Sequence, residues 1–363
     1  MSLGMTRDSC LDIVGLTKNQ FYYEQTGGRR GKRPSSTTRW RDPATLLSHS
    51  IPNEKVVLKV VEIKLNPDLP NWYRLITRTL QILGYYINHK KLFRLMKEHL
   101  LLEDARRRKG REFVQFRRVC PAGPLCILEM DIKYVWVYGQ RKFAFVLTVL
   151  DTFTRYVLNW AVGFTMKGSQ VKDIWEYVVA EYLQPHRISL SEIEVEARSD
   201  NGRQLGAKVL KQFFEANHIR HVFTHPYTPE ENGHVESFHS ILSDALDKDR
   251  FASLSDLEKR LDRFYTSYND DRSHSGTRGI PPAKFWVMYE MELVKVTYLD
   301  DRSAKIAIKV PYQDILTLPG IHKYDYRVMR AGGRPSPYFE ALDGPKNNNV
   351  SVGLHNTFEP TSV

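Results

Sequence analysis

The sequence predicts an α/β protein built around a mixed five-stranded sheet, with a helical region before it and a small all-β module after it. Three β-rich segments follow one another closely from Cys126: "CILEMDIKYVWVYG", "RKFAFVLTVLDTF" and "RYVLNWAVGF". Two further apolar runs, "EIEVEARSDNG" and "RHVFTHPY", then alternate with helical patterns. Sequential strands followed by a β-α-β alternation indicate one mixed sheet with helices on both faces.

The charge of the chain is unevenly distributed. Residues 1–120 carry 24 lysines and arginines against 11 acids, residues 121–290 carry 20 against 23, and residues 291–363 carry 9 against 8. A basic front third joined to a near-neutral middle indicates a region that binds a polyanion and a core with another task. We therefore expect nucleic acid as the partner of the front third.

The composition argues against several classes of protein. Hydrophobic residues make up 42% of the chain, which is enough to form packed cores. No apolar run approaches the roughly 20 residues of a membrane-spanning helix, so we expect no membrane partner. The three cysteines cannot form a disulfide framework or a four-thiolate zinc site, which favours a reducing, cytoplasmic location.

The first helical pattern covers residues 9–25, "SCLDIVGLTKNQFYYEQ". Two short helices separated by a turn at Gly15, with Thr17 as the N-cap of the second, match a helix-turn-helix. In that motif the early residues of the second helix face base edges, which makes Lys18, Asn19 and Gln20 candidate DNA contacts. An ordinary helix pair is the alternative.

A cationic segment follows at residues 26–41, "TGGRRGKRPSSTTRWR", with six cations and no acid. Its glycine, proline, serine and threonine content predicts an extended arm without a regular element. Such arms can lie in a minor groove, although a solvated linker would have the same composition. The candidate DNA contacts in this arm are Arg29, Arg30, Lys32 and Arg33.

A second helical region is predicted from helices at 53–65, 71–84 and 88–101, with Gly84 as a stop signal and Asn88 as an N-cap. The last helix is amphipathic, with cations on one face and leucines and a methionine on another. The candidate DNA contacts on it are Lys90, Lys91, Arg94 and Lys97. A basic connector then leads into the sheet, and its candidates are Arg106, Arg107, Arg108 and Lys109.

The chain changes character again after residues 281–286, "PPAKFW". The segments "ELVKVTYL" and "AKIAIKV" alternate apolar and polar residues around "DDRS", which predicts a hairpin. We expect a small all-β module over residues 291–330. Glycine, proline and asparagine dominate residues 331–363, which predicts an irregular tail.

Three acids occupy positions where chemistry could use them. Asp131 lies in the middle of a predicted strand, Asp200 ends another, and Glu236 begins a helix. Each has a plain structural explanation: Asp131 could pair with a lysine, Asp200 could form an Asx-turn, and Glu236 could favour a helix N-terminus. Together they could form a carboxylate cluster, whose hard oxygens select Mg²⁺ or Mn²⁺.

A zinc hydrolase site at the start of that helix is a third possibility for Glu236, because histidines flank it. Metalloprotease helices place two histidines four residues apart on one face. His234 and His239 are five residues apart, which separates them by about 140° around a helix. This spacing disfavours a shared zinc ion.

Together these residues resemble the DDE transposases and integrases of the retroviral-integrase superfamily. The segments "LDTFTRYVLNW", "RSDNGRQL" and "PYTPEENGHVESFHSIL" are similar to the signature blocks of that superfamily, and 35 residues separate Asp200 from Glu236. The resemblance covers roughly residues 70–290. It is stronger to bacterial insertion-sequence transposases, whose second reading frame carries the integrase core.

The resemblance implies a fold, a site and an activity. The sheet would be a ribonuclease-H-like core, and Asp131, Asp200 and Glu236 would be its metal-binding catalytic triad. The protein would bind the terminal inverted repeats of a mobile element, cleave DNA strands with two Mg²⁺ ions per active site (Mn²⁺ substituting), and transfer the 3′-hydroxyl end to target DNA. A nuclease that never joins strands, and a catalytically silent DNA-binding protein, are the alternatives.

The resemblance also sets the expected partners and domains. Double-stranded DNA would be the partner of a homo-oligomer, at least a dimer, in the bacterial cytoplasm at the nucleoid, with no organic cofactor. The expected division is a helix-turn-helix with basic arm at 1–41, a helical DNA-binding domain at 50–105, a basic linker at 106–123, the core at 124–290, the β module and the tail. Two departures are "ILEM" where a tryptophan often precedes the first aspartate, and Arg203 where a small residue is common.

Overall fold

The computed structural model describes residues 4, 6–22, 34–103, 119–185, 194–224, 232–299 and 303–317. The chain divides into two compact units, Met1–Ser36 and Thr37–Val363. Within the described residues, none of the helices combines the length and the apolar character needed to cross a membrane.

The first unit contains the predicted pair of short helices, α1 (Arg7–Val14) and α2 (Lys18–Phe21). Gly15 ends α1 in the left-handed region at φ 68°, a conformation that favours glycine. Thr17 caps α2 in a capping box with Gln20, so the predicted N-cap is confirmed. The predicted contacts Arg29, Arg30, Lys32 and Arg33 lie outside the described residues.

The second unit begins with a small sheet that the sequence analysis did not predict. It is ordered β2-β1-β3 and comprises β1 (Thr37–Arg41), β2 (Ser48–Pro52) and β3 (Tyr85–Tyr86). The expectation of an arm without regular structure is therefore wrong for the last five residues of that segment. Thr38 is buried and donates to Asn53, while the Trp40 indole donates to the carbonyl of Leu83 at 3.0 Å. β-Branched and aromatic residues suit a half-buried strand, and this tertiary packing outweighs the neighbouring charges.

Three helices pack against this small sheet and confirm the helical pattern of the sequence. They are α3 (Asn53–Leu65), α4 (Tyr73–Ile82) and α5 (His89–Glu98). Gly84 follows α4 at φ 91°, where an added Cβ would collide with the carbonyl of Arg41. Asn88 caps α5 by accepting a hydrogen bond from the Lys91 amide at 2.8 Å. A hydrophobic cluster common to all three helices holds them together.

The central sheet has the mixed five-stranded topology that the sequence predicts. Its order is β6-β5-β4-β7-β8. β4, β5 and β6 pair antiparallel, whereas β4, β7 and β8 pair parallel. Its strands are β4 (Ile127–Val137), β5 (Lys142–Asp151), β6 (Val157–Gly163), β7 (Val195–Ser199) and β8 (Ile219–Phe223). If only the strands of this sheet are numbered along the chain, from β4 as strand 1, the order is 3-2-1-4-5, as in a ribonuclease-H-like fold. The expected fold class is confirmed.

Helices cover both faces of the central sheet. One face packs against α6 (Gly168–Val178), which continues into a π-helical turn at Val179–Leu183, and α7 (Lys208–Ala216). The other face packs against α8 (Gly233–Leu246) and α9 (Leu254–Asp270). Valine and leucine alternate between the two clusters along β4 and β5, because successive strand residues point to opposite faces.

The predicted hairpin after the core is confirmed as β9 (Val294–Tyr298) paired antiparallel with β10 (Ala304–Ile308). It follows α10 (Pro282–Glu290) and leads to a 3₁₀ helix at Tyr312–Thr317. Val294 and Ile315 belong to the hydrophobic cluster of the central sheet. As far as the structure describes this segment, the hairpin is therefore an extension of the core. Residues 318–363, with the rest of the predicted module and tail, lie outside the described residues.

The helices α3–α5 are held against the core by a buried ion pair. Asp68 receives two hydrogen bonds from the Arg260 guanidinium, at 2.6 and 3.2 Å, and its backbone carbonyl accepts another from Arg272. The Arg260 Nε also donates to Asp249 at 2.9 Å. A two-pronged pair of this kind fixes orientation as well as distance. The helical region and the core consequently form one compact unit.

Candidate active site

Asp131 lies on β4 opposite Thr148 of β5, with 23% of its side chain exposed. Its Oδ1 accepts a hydrogen bond from the amide of Ile132 at 2.7 Å, and its Oδ2 lies 3.2 Å from Nδ1 of His239. The partner of this strand acid is thus a histidine on α8, where a lysine was the alternative. Two contacts hold the carboxylate in place while part of it faces solvent.

Asp200 follows the last residue of β7 and is exposed. Its Oδ1 accepts from the amide of Gly202 at 3.0 Å, which is the Asx-turn that the sequence allows. The neighbouring Asn201 amide group donates to the carbonyl of Thr224 at 2.9 Å and so ties the turn to the end of β8. The turn and the site are compatible, because one carboxylate oxygen makes no contact with the turn amide.

Asp131 lies on β4, and Asp200 follows the end of β7, the parallel neighbour of β4. β4 and β7 run parallel, with Glu129 opposite Arg198. Parallel strands deliver residues at their carboxyl ends to a common edge of the sheet, which is where ligands bind in open α/β folds.

Glu236 is exposed on the first turn of α8, as its position after an Asn-Gly step predicts. It lies one helical turn before His239, and residues three apart are neighbours on a helix surface. His239 contacts Asp131, so Glu236 lies one helical turn from a contact with this strand. The turn predicted before it, residues 225–231, lies outside the described residues.

The described residues do not assemble Asp131, Asp200 and Glu236 into a ligand set. Among the residues that the structure describes, no three histidine, cysteine, aspartate or glutamate side chains lie close enough together to hold a metal ion. The donor chemistry of Asp131 and Asp200 fits a hard divalent ion. Glu236 would have to turn its carboxylate toward the strand pair to join them.

The two histidines of α8 contact different carboxylates. His234 Nδ1 lies 2.8 Å from Glu129, and His239 Nδ1 lies 3.2 Å from Asp131. They share no ligand position, as the five-residue spacing predicts.

Glu129 is an acid at the site that the sequence analysis missed. It is fully buried, and burial raises the pKa of its carboxyl to about 7 against the opposing effect of a hydrogen bond from the Val235 amide. The available signal was its place two residues before Asp131, inside a strand where acids are disfavoured. Residues two apart share one face of a strand, so both acids point toward α8.

The predicted DNA contacts Lys18, Asn19 and Gln20 of the first unit all lie on α2. Lys18 is exposed at the start of α2. The Gln20 side chain accepts from the amide of Thr17 at 2.8 Å and so belongs to the capping box. Asn19 lies within α2 between them. The connector candidates Arg106, Arg107, Arg108 and Lys109 lie outside the described residues.

The cations of α5 differ in exposure and in whether they have a partner within the protein. Lys90 and Lys97 are exposed, whereas Arg94 pairs with Glu98 at 3.5 Å. The Lys91 ammonium donates to the carbonyl of Thr37 at 2.6 Å, and desolvation lowers its pKa. Lys91 thus fastens α5 to the small sheet, and we regard Lys90 and Lys97 as the cations of this helix that are open to a phosphate.

A cavity of about 410 Å³ lies beside the start of α5, and the sequence analysis did not identify it. Its lining is cationic and polar, and consists of Arg74, Thr77, Arg78, Gln81, Asn88 and His89. The arginines are four residues apart on α4, which places them on one face of that helix. A cationic concavity next to a helix N-terminus favours an anionic group.

Comparison with known proteins decides what kind of core this is. Residues 121–229 and 217–282 match two family models that are both described as integrase core domain. Residues 121–282 are therefore similar to the integrase core domain.

Relatives of the integrase core occur in bacterial insertion elements. An uncharacterized 39.2 kDa protein of insertion element IS476 from Xanthomonas euvesicatoria is 26% identical over 208 residues, 57% of each chain. An uncharacterized 31.7 kDa protein of insertion element IS407 from Burkholderia multivorans is 24% identical over 217 residues, 59% of this chain and 74% of that one. The chain thus spans little more than half the length of the first of these relatives.

Solved structures of related cores include the catalytic core domain of HTLV-2 integrase in complex with magnesium. It is 17% identical, with a TM-score of 0.33, and the match covers 47% of this chain and 99% of that one.

Proposed function

We propose that this protein is a DNA transposase that binds the terminal inverted repeats of a mobile element, cleaves DNA strands and joins the freed 3′-hydroxyl ends to target DNA. The observation that carries the proposal is a match to the integrase core domain over a sheet in which Asp131 lies on β4 and Asp200 follows the end of its parallel neighbour β7. The relatives within insertion elements support a role in mobile DNA. A basic front third supports DNA as the substrate.

The three acids of the proposed triad would together form the metal-binding site. Asp131 and Asp200 would hold the divalent ions, because their oxygens are hard ligands on neighbouring strands. Glu236 would complete the ligand set from α8. Mg²⁺ or Mn²⁺, two ions per active site, would supply charge stabilisation for the attacking and leaving oxygens of an in-line displacement. The Ile132 amide and His239 orient the Asp131 carboxylate, and the Asx-turn orients Asp200.

Binding and chemistry would be carried by different parts of the chain. The helix pair and arm of the first unit, with α5 and the basic connector, would contact the element ends. The Asp68–Arg260 pair would hold α3–α5 in a constant orientation on the core, so that a bound end reaches the acids in one geometry. We propose a homo-oligomer, at least a dimer, because two element ends must be held together while both are joined to the target, and a location in the bacterial cytoplasm at the nucleoid.

The proposed activity is tested with purified protein, MgCl₂ and a duplex carrying the terminal repeat of the element. We expect strand cleavage of the intact end, and joining of a precut end with a free 3′-hydroxyl to a target duplex. Cleavage without joining of the precut end would identify the nuclease alternative. Specific binding with neither reaction, in Mg²⁺ and in Mn²⁺, would contradict the proposal and favour the silent DNA-binding alternative.

A salt titration tests the contribution of α5 to DNA binding. Replacing Lys90 and Lys97 with alanine should flatten the slope of log affinity against log salt concentration by about 1.8, since each lost phosphate contact removes about 0.9. The matched control is replacement of Lys208 and Lys211, two exposed lysines of α7. An unchanged slope in the α5 variant would remove this helix from the interface.

A further inference from the structure

Glu129 uses both of its carboxylate oxygens to bind the first turn of α8. Oε1 lies 2.8 Å from Nδ1 of His234, and Oε2 accepts the amide hydrogen of Val235 at 2.8 Å. The side chain is fully buried. A buried acid is costly unless hydrogen-bonded, and both partners here come from one element, so the contact joins β4 to α8 specifically.

The contact replaces the cap that α8 would otherwise need. The first amides of a helix have no partner within the helix, and a side chain normally accepts from them. Asn232 precedes α8 and makes no such side-chain cap. Glu129 supplies the missing acceptor from a strand 106 residues earlier in the chain. The ionised form of Glu129 also suits the positive end of the helix dipole.

The contact between Glu129 and Val235 lies next to Glu236 in the chain. Val235, held by Glu129, immediately precedes it, and His239, in contact with Asp131, follows one turn later. Contacts with β4 therefore flank Glu236 on both sides. The two strand acids that make them, Glu129 and Asp131, share one face of β4.

We propose that Glu129 is a positioning residue that docks the start of α8 on β4 and thereby sets where Glu236 stands relative to Asp131. This inference rests on the proposed function, because it assigns Glu236 to the ligand set. Glu129 itself touches neither DNA nor the ions in this role. It acts through the backbone of Val235 and the ring of His234.

Glu196 provides a matched control. It is also buried, at 6% exposure, in the neighbouring strand β7, and it pairs with Arg198 and Arg220. Both acids belong to the same sheet, and the partners of Glu196 lie on strands β7 and β8. Glu196→Gln thus reports the general effect of neutralising a buried acid of this sheet. Glu129→Gln adds the loss of one acceptor at the start of α8, since an amide has a single oxygen.

Two measurements on the full chain separate positioning from mere stability. We expect Glu129→Gln to join precut ends about 10- to 100-fold more slowly, the loss usual for a residue that orients metal ligands, with unchanged affinity for the DNA end. We also expect faster hydrogen exchange of the backbone amides in the first turn of α8, measured without metal or DNA. Glu196→Gln should change the joining rate and the exchange rate of the first turn of α8 by no more than about 2-fold relative to the parental protein.

Several results would overturn the inference. Parental joining rates in Glu129→Gln, unchanged exchange at the start of α8, or an equal loss in Glu196→Gln would each do so. Should Glu129→Gln fail to fold, His234→Phe removes one of the two contacts and leaves Glu129 in place. It should speed exchange in the same turn and slow joining, and no change in either would also overturn the proposal. If the parental protein joins no ends, the proposed function fails, while the exchange measurement still tests the docking.

Discussion

Replacing Glu236 with glutamine is expected to reduce strand cleavage and joining by orders of magnitude while folding and DNA-end binding persist. The side chain is exposed on the first turn of α8, and the apolar residues Val235 and Phe238 that pack beneath it are unchanged. An amide is a poorer ligand than a carboxylate for a hard divalent ion. If Glu236 served only the helix N-terminus, the variant would lose about 0.3–1 kcal/mol of stability and little activity.

The measurement is a joining assay with a precut end in Mg²⁺, beside a binding assay on the same duplex. Asp131→Asn and Asp200→Asn should lose comparable activity, and combining the changes should add little, because one change already disables the common unit. Asp244→Asn is the matched control, since Asp244 is another exposed acid of α8. Near-parental joining by the Glu236→Gln protein would remove Glu236 from the proposed triad.

Replacing Arg260 with methionine is expected to lower the free energy of unfolding by about 3–5 kcal/mol at neutral pH. The substitution keeps most of the side-chain length but removes the two hydrogen bonds to Asp68. Asp68 is 8% exposed, so its charge would remain buried without that partner. The change also removes the contact with Asp249 and loosens α3–α5 from the core.

Denaturant unfolding followed by far-ultraviolet circular dichroism measures this loss. Lys172→Met is the matched control, because it breaks an exposed pair with Glu176 on α6 and should cost about 0.3–0.5 kcal/mol. Adding Asp68→Leu to Arg260→Met should recover part of the stability, since it removes the unpaired charge. A loss in Arg260→Met no larger than in the control would show that the pair does not hold the helical region on the core.

The sequence by itself determined the central sheet, most of the helices and the regional charge. Three β-rich segments in close succession, separated by turn signals, identified β4–β6, and the β-α-β alternation identified the parallel strands β7 and β8. Helix ends at Gly84 and Asn88 were visible because capping depends on residues next to the helix. Asp131, Asp200 and Glu236 were identified as candidates because each breaks or ends a local pattern, and the family resemblance then grouped them.

Only the tertiary structure decided which distant residues meet. β1 forms because Thr38 and Trp40 find partners in Asn53 and Leu83, although the surrounding composition favours a loop. The Lys91 ammonium donates a hydrogen bond to the carbonyl of Thr37 and thereby fastens α5 to the small sheet. Glu129 meets Val235 across 106 residues, and Arg260 meets Asp68 across 192. Hydrogen bonds and ion pairs of this kind depend on the three-dimensional approach of two elements, and neither partner carries a local sequence pattern that reveals the other.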